Sequence, residues 1–302
     1  MAHAVWAKRD ALTTMNVTDI DLPPLADGAV RLKVESFAVT ANNVTYAVMG
    51  DMFQYWNFFP APEGWGIVPM WGHATVEASN CSDFAVGERV YGYLPMGTHL
   101  DVEPVGISAG GFTDGAAHRQ PMSMFYNQYS RLAADPEHDP ANEDARMIYG
   151  PLFKTGFLIE DFYRRNDWFG ADSLILSSAS SKTALALAHC AKLASPNVRR
   201  IGLTSSGNVD FVKASGLYDD VVAYEDVAAL APRSVQRCDD GQQQQLRAAT
   251  ARQQRRTHLG HGQRGVVGFH QCGNGRSMRR SCGCTEEFLK AITHTRRAAI
   301  SR

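Results

Sequence analysis

Residues 173–224 read SLILSSASSKTALALAHCAKLASPNVRRIGLTSSGNVDFVKASGLYDDVVAY and carry the clearest fold signal in the chain. Three short apolar runs in this segment are typical of buried strands, and the two stretches between them favour helices. The predicted strands are 173–178, 198–204 and 220–224, and the predicted helices are 183–193 and 209–215. A strand–helix–strand–helix–strand succession is half of a doubly wound parallel sheet, so the segment predicts an α/β fold of Rossmann type.

The chain upstream of this segment favours strands over helices. Residues 29–39 (AVRLKVESFAV) alternate apolar and polar side chains as a half-buried strand does, and 86–93 (VGERVYGY) predict a second strand. A short helix is expected over 158–168. We therefore expect a β-rich first domain at 1–150 and a nucleotide-binding type of domain at 151–232.

The remaining residues, 233–302, differ in composition from everything before them. They hold 14 basic and 4 acidic residues, whereas residues 1–232 hold 16 basic and 27 acidic ones. Low hydrophobicity with high net charge cannot repay the entropy of ordering a chain, so this basic Arg/Gln-rich tail is expected to be disordered or out of frame. If the tail is genuine, it would bind nucleic acid by neutralising phosphates.

The sequence predicts no membrane span and no metal site. No apolar run approaches the 18–20 residues that a spanning helix needs, and the first residues lack an apolar signal-peptide core, so a cytoplasmic location is expected. The tail histidines and cysteines, in the spacing H-x2-H-x10-C-x9-C-x-C, match no zinc pattern.

Residues 28–231 resemble the zinc-independent, quinone-oxidoreductase-like branch of the medium-chain dehydrogenase/reductase superfamily. They are closer still to an uncharacterised bacterial and fungal family related to that branch. The segments that carry the resemblance are VESFAVTANNVTYAVMGD (34–51), VPMWGHATVEAS (68–79), FAVGERVYGYLPMGTHL (84–100), GGFTDGAAHRQ (110–120), LFKTGFLIEDF (152–162), SSASSKTALALA (177–188) and LTSSGNVDFVKASGLYDDVVAYEDV (203–227). The resemblance implies a GroES-like substrate domain followed by a Rossmann domain that is truncated where the tail begins.

The loop after the first Rossmann strand lacks the usual G-x-G-x-x-G glycines. It reads SSASSKT at 177–183, and the serine hydroxyls, the start of the next helix and a lysine could together hold a phosphate. An N-cap followed by a solvated lysine is the alternative interpretation. The candidate phosphate ligands in this loop are Ser178, Ser180, Ser181, Lys182 and Thr183.

The end of the second Rossmann strand carries small hydroxyl residues where NAD-binding proteins have an acidic one. The resemblance implies that Thr204, Ser205 and Ser206 accommodate the 2′-phosphate of NADP, so NADP is preferred over NAD as the cofactor. Tyr224 ends the third strand, where it would line the adenine side or belong to the core.

The catalytic candidates come from the first domain. A zinc-dependent relative would have a cysteine after the first GroES-domain strand, where Asn42 and Asn43 stand, so His73 is interpreted as structural. The resemblance places Asn43 and Tyr46 in the substrate pocket, where their side chains would polarise a substrate oxygen. The alternative interpretation is an asparagine in a turn and a tyrosine in the core. The aromatic cluster Tyr55, Trp56, Phe58 and Phe59 would wall a flat substrate or form core, and His99 and His118 are further candidate acids.

The tail begins where a Rossmann domain would continue with a fourth strand. Residues 238–245 (CDDGQQQQ) can be encoded so that a one-base shift reads AMMGNSN, and the resembling family carries a similar Asp-Met-x-Gly-Asn stretch. We interpret 233–302 as out of frame.

Three functions are compatible with these residues. The first is an NADP(H)-dependent, zinc-free oxidoreductase acting on a small carbonyl, enone or quinone, impaired in this form. The second is a noncatalytic ligand-binding relative, and the third is a nucleic-acid binder acting through the tail. A small-molecule substrate and possible oligomers are expected as partners.

Overall fold

The computed structural model describes residues 1–229. The chain forms two compact units, one comprising Met1–Pro151 and one that begins at Leu152. The predicted tail, 233–302, and its candidate metal ligands lie outside the described residues. Within residues 1–229, no helix combines the length and hydropathy that crossing a bilayer requires.

The first unit is built mainly of strands. Its strands are β1 (Ala2–Lys8), β2 (Ala11–Ile20), β3 (Val30–Phe37), β4 (Trp65–Ile67), β5 (Pro69–Ser79), β6 (Arg89–Pro95), β7 (His99–Val102), β8 (Pro104–Ser108), β9 (Gly111–Asp114) and β10 (Gln128–Arg131). Helix α1 (Ala41–Val48) follows β3, and α2 (Glu143–Arg165) contains the boundary between the units. This order matches the β-rich first domain expected from the sequence.

Two antiparallel sheets organise the first unit. The smaller has the order β2-β1-β4, and the larger has the order β7-β3-β5-β6-β10-β9-β8. Strand β5 lies inside the larger sheet between β3 and β6. The alternation predicted at 29–39 is confirmed, because Val30 and Leu32 of β3 are fully buried.

The second unit contains a three-stranded parallel sheet in the order β11-β12-β13. Its elements are β11 (Ser173–Leu176), α3 (Lys182–Ala194), β12 (Arg199–Thr204), α4 (Val209–Ala214) and β13 (Asp220–Ala223). The register is parallel throughout, with Ile175 opposite Ile201 and Leu203 opposite Val222. All five predicted elements of 173–224 are confirmed, so the second unit holds half of a doubly wound sheet.

One helix is longer than predicted. The helix expected over 158–168 is the last part of α2, which begins at Glu143 and contains Pro151. Gly150 and Pro151 both disfavour a helix, so the local sequence gives no helix signal there. The packing of α2 overrides these local preferences. The helix ends at Arg165, because Asp167, Trp168 and Phe169 adopt left-handed backbone angles with φ of 49–53°.

Candidate functional site

Helix α1 places Tyr46 inside the first unit. The helix begins after Thr40, whose hydroxyl accepts a hydrogen bond from the backbone N–H of Asn42. The Asn43 side chain closes the capping box by accepting from the Thr40 backbone N–H at 2.6 Å. Tyr46 follows one turn later and is 7% exposed, so the cap fixes the position of a buried phenol.

The Asn43 side chain makes its hydrogen bonds to other groups of the protein. Besides capping α1, its amide nitrogen donates to the Pro69 carbonyl oxygen at 2.9 Å and lies 3.0 Å from Met70 Sδ. Both polar atoms of this buried amide are therefore engaged within the first unit. This geometry gives Asn43 a part in positioning Tyr46 and leaves Tyr46 as the candidate donor to a substrate.

Tyr46 belongs to a cluster of aromatic rings in the first unit. Its ring centroid lies 4.7 Å from that of Tyr55 and 5.7 Å from that of Tyr93. Tyr126 lies 4.7 Å from Tyr93, and its hydroxyl is 3.3 Å from the Tyr55 hydroxyl. The remaining rings of this aromatic cluster are Trp6, Phe58, Phe59, Trp71, Tyr91 and Phe125.

Three donors of the aromatic cluster converge on one region. The indole of Trp71 and the phenol of Tyr93 lie close enough to the Tyr46 hydroxyl to influence its pKa, which burial raises above the ordinary value. Trp71 Nε1 and Tyr93 Oη are buried and make no hydrogen bond of regular geometry with the described residues. An oxygen atom bound between these groups would give both donors a well-aligned partner.

Burial also keeps these phenols protonated. Desolvation raises the pKa of Tyr93 well above its ordinary value and raises the pKa of Tyr126 as well. A phenol that stays protonated donates a hydrogen bond over the whole physiological pH range. The cluster is therefore a set of neutral donors rather than a source of titratable acid.

Sequence reasoning identified only part of this cluster. Tyr55, Phe58 and Phe59 belong to it, whereas Trp56 packs in a separate core with Ala47 and Met70. Trp71, Tyr93 and Tyr126 were not among the predicted residues. The alternation of Tyr91 and Tyr93 in β6 puts both side chains on one face of the sheet, and this is the signal that could have indicated them.

The candidate acids His99 and His118 and the structural residue His73 have separate environments. His73 is fully buried, and desolvation lowers its pKa to about 4, so it is neutral and remains a structural residue in our interpretation. His99 Nε2 lies 3.2 Å from a carboxylate oxygen of Glu77, and His118 Nε2 lies 3.3 Å from the Phe58 carbonyl oxygen. Among the described residues, no group of three or more His, Cys, Asp or Glu could hold a metal ion.

The loop between β11 and α3 makes its turn without glycine. Ser178 has a φ of 50°, the left-handed region that Gly usually occupies in such loops. Its N–H donates to the Tyr224 hydroxyl at 2.7 Å, and the next residue, Ala179, donates to the Leu203 carbonyl oxygen at 2.9 Å. Tyr218 donates to the Ala179 carbonyl oxygen at 2.9 Å, so β12 and the residues on either side of β13 hold the loop in this shape.

Helix α3 begins directly after this loop. The Ser181 hydroxyl caps it by accepting from the Ala184 N–H at 3.3 Å, which is the capping role weighed in the sequence analysis. Lys182 and Thr183 are half-buried residues of the first turn, where the helix dipole favours an anion. The loop and the helix start therefore form one polar end of the second unit.

The loop after β12 lies beside the first loop. Asn208 Nδ2 is 3.3 Å from Ser180 Oγ and 3.1 Å from Ser205 Oγ, so one amide joins the two loops. The Ser206 hydroxyl donates to the Glu225 carboxylate at 2.8 Å. Thr204, in contrast, is 1% exposed, so its side chain contributes to the core and not to a binding surface.

The second unit thus brings together most of the predicted nucleotide ligands. The polar end presents exposed hydroxyls on both loops, the first turn of α3 and the half-exposed ring of Tyr224. Hydroxyl and backbone donors at a helix start suit a phosphate group. The residues present fit a dinucleotide, although the Ser178 N–H already donates a hydrogen bond to the Tyr224 hydroxyl.

The first unit is β-rich, and the second unit holds half of a doubly wound parallel sheet. Residues 37–280 match the family described as "Protein of unknown function (DUF2855)". The chain belongs to this family. No curated protein sequence is significantly similar to it.

Several solved structures are similar to this chain at low identity. CurA from Vibrio vulnificus in complex with NADPH is 17% identical, with a TM-score of 0.49 over 76% of this chain and 60% of that one. Mycobacterial Rv1454c complexed with NADPH is 16% identical, with a TM-score of 0.44 over 74% and 58%. The quinone oxidoreductase from Coxiella burnetii is 12% identical, with a TM-score of 0.43 over 76% and 65%. The chain spans less than two thirds of the length of each.

Proposed function

We propose that this protein is an NADP(H)-dependent, zinc-free reductase of a small carbonyl, enone or quinone. The observation that carries the proposal is the convergence of Tyr46, Tyr93 and Trp71, whose donors are buried among aromatic rings. Such a surface suits a flat, neutral substrate with an oxygen acceptor.

The aromatic cluster supplies both binding and polarisation. The partly exposed ring of Tyr55 contacts the plane of the substrate, and the Tyr46 hydroxyl donates to its oxygen, supported by Tyr93 and Trp71. Negative charge grows on that oxygen during reduction, and fixed donors in a dry site stabilise the charge more than water does. The raised pKa of Tyr46 keeps its proton in place for this purpose.

The polar end of the second unit holds the nucleotide. Ser178, Ser180 and the first turn of α3, with Lys182 and Thr183, bind the phosphates, and the hydroxyls of Ser205 and Ser206 face the adenosine ribose. NADP(H), when bound, supplies the hydride. The serine-rich second loop favours NADP(H), because hydroxyl donors suit a 2′-phosphate.

The test is NADPH oxidation with a panel of quinones, enones and aldehydes, for the wild type and Tyr46→Phe. Removing one hydroxyl that stabilises charge lowers kcat/KM by about 10- to 100-fold, while the ring and its packing remain. Tyr163→Phe is the matched control, because it makes the same chemical change in the second unit, outside the aromatic cluster.

Two outcomes would contradict the proposal. One is the absence of NADPH binding in a calorimetric titration of the folded protein. The other is equal kcat/KM for Tyr46→Phe and the wild type, which would remove Tyr46 from the reaction. NADPH binding without turnover of any panel member would favour a noncatalytic ligand-binding protein.

A further inference from the structure

Two adjacent residues after β13 contact both loops of the polar end. Tyr224 accepts a hydrogen bond from the Ser178 N–H at 2.7 Å, on the first loop. Glu225 accepts from the Ser206 hydroxyl at 2.8 Å, on the second loop. The dipeptide Tyr224–Glu225 therefore occupies donors of each loop that the proposed function assigns to a nucleotide.

The contact at Ser206 places a negative charge beside the proposed ribose position. Glu225 is exposed and its pKa is lowered by hydrogen bonds from its own backbone and from Ser206, so the side chain is a carboxylate at neutral pH. The nearest charged residues along the chain are Asp226 on the same segment and Asp220 at the start of β13. Both have the same sign as Glu225.

A carboxylate at this place treats the two cofactors differently. The 2′-phosphate of NADP(H) is a dianion that would compete with the carboxylate for the Ser206 hydroxyl and be repelled by it. The ribose 2′-hydroxyl of NAD(H) is neutral and can donate a hydrogen bond to a carboxylate, as it does in Rossmann proteins that have an acidic residue after the second strand. In this chain the acidic residue is Glu225, which follows the third strand of the sheet, β13. It contacts the second loop by accepting a hydrogen bond from Ser206.

We propose that Glu225 determines cofactor specificity by weakening the binding of the 2′-phosphate of NADP(H) while leaving NAD(H) binding almost unchanged. The inference rests on the proposed function, since it requires a nucleotide at the polar end of the second unit. Glu225 acts against the NADP(H) preference that the hydroxyl-bearing second loop produces.

The experiment compares nucleotide affinities of the full chain and its Glu225→Gln variant by calorimetry. The four probes are NADPH, NADH, 2′,5′-ADP and 5′-AMP. Removing one charge next to a surface phosphate tightens NADPH and 2′,5′-ADP by about fivefold, with a smaller gain at high salt. Affinity for NADH and 5′-AMP changes by less than about twofold. Glu225→Lys changes the NADPH to NADH ratio further in the same direction.

Asp226→Asn is the matched control, because it removes the same charge one residue further along. An equal gain for NADPH and NADH in Glu225→Gln, or an equal shift of their ratio in Asp226→Asn, would overturn the inference and leave the proposed function intact. Failure of the wild type and every variant to bind any of the four probes would instead refute the proposed function, and the inference with it.

Discussion

Arg119 is a buried residue that contacts several members of the aromatic cluster. Its guanidinium is fully buried and donates to Asp114 at 2.9 Å, to Asn127 at 3.0 Å and to the Tyr126 carbonyl oxygen at 2.8 Å. It also lies 5.5 Å from the ring centroid of Phe58. A buried cation with these partners fixes the backbone of Tyr126 and packs against the neighbouring rings. Desolvation opposes its charge, but attraction to Tyr129 and Asp114, together with hydrogen bonds to both, raises its pKa.

Arg119→Met is expected to destabilise the protein by about 3–5 kcal/mol, because Asp114 would remain buried and charged without its cation. The measurement is urea unfolding of the first unit followed by tryptophan fluorescence. Lys8→Met, which removes an exposed ion pair with Asp10 in the same unit, is the control and should cost less than about 1 kcal/mol. Equal losses in the two variants would show that the Arg119 network contributes no special stability.

His73 makes the stability of the first unit depend on pH. Burial lowers its pKa from 6.5 to about 4. Above pH 6.5 the imidazole is neutral in both the folded and the unfolded state, so it has no effect. Between pH 6.5 and about 4 the unfolded state binds a proton that the folded state does not, so stability falls as the pH falls through this window.

Lowering the pH from 7 to 5 should therefore reduce the free energy of unfolding of the wild type by about 2 kcal/mol more than that of His73→Phe. The phenylalanine keeps a ring but cannot be charged. Urea unfolding at both pH values measures the difference. Glu143, whose pKa is lowered to about 2 chiefly by hydrogen bonds from Arg89, stays ionised throughout this range. Identical pH dependence in both proteins would show that His73 is not the responsible group.

At the scale of elements, the close approach of α2 and α3 holds the second unit together. A Cβ atom on Gly156 of α2 would lie 2.7 Å from the Leu187 backbone nitrogen and 2.8 Å from Ala186 Cβ, both in α3. Only a glycine allows the two helices to pack at this distance. Helix α3 starts at the polar end, so this packing also determines where its first turn lies.

Gly156→Ala is expected to destabilise the second unit by about 1–3 kcal/mol, because the neighbouring atoms belong to the backbone and cannot move aside cheaply. Gly207→Ala is the control in the same unit. A Cβ there would meet no heavy atom within 4 Å and its φ is not positive, so this change should be neutral or stabilising by up to about 1 kcal/mol. Thermal unfolding followed by circular dichroism distinguishes the two. A stabilising Gly156→Ala would contradict the packing argument.

At the scale of the whole molecule, the open question is the reading frame after Pro232. We propose that 233–302 is out of frame and that this form is an impaired version of an intact reductase. The family match, which continues to residue 280, favours the alternative of a genuine basic tail. The two possibilities differ in composition, because an in-frame Rossmann continuation would be apolar and aromatic.

A DNA read across codons 225–302 decides between them. If a one-base change restores an apolar frame, the corrected protein should melt in a sharper transition and bind NADPH more tightly than the chain as it stands. The reason is that half of a doubly wound sheet leaves apolar surface uncovered. If the frame stands, the full chain should bind DNA or RNA with a steep salt dependence.

Local sequence determined the succession of elements in 173–224, the strand at 30–37 and the position of Tyr46 one turn into α1. Each depends on neighbours within a few residues, through side-chain periodicity or capping. Only the tertiary structure decided the composition of the site. Trp71 meets Tyr93 because the register of β5 and β6 pairs them directly, and Glu225 meets Ser206 because β12 and β13 lie side by side. Strand register and strand order are non-local, since they depend on the packing of whole faces, and no window of sequence contains them.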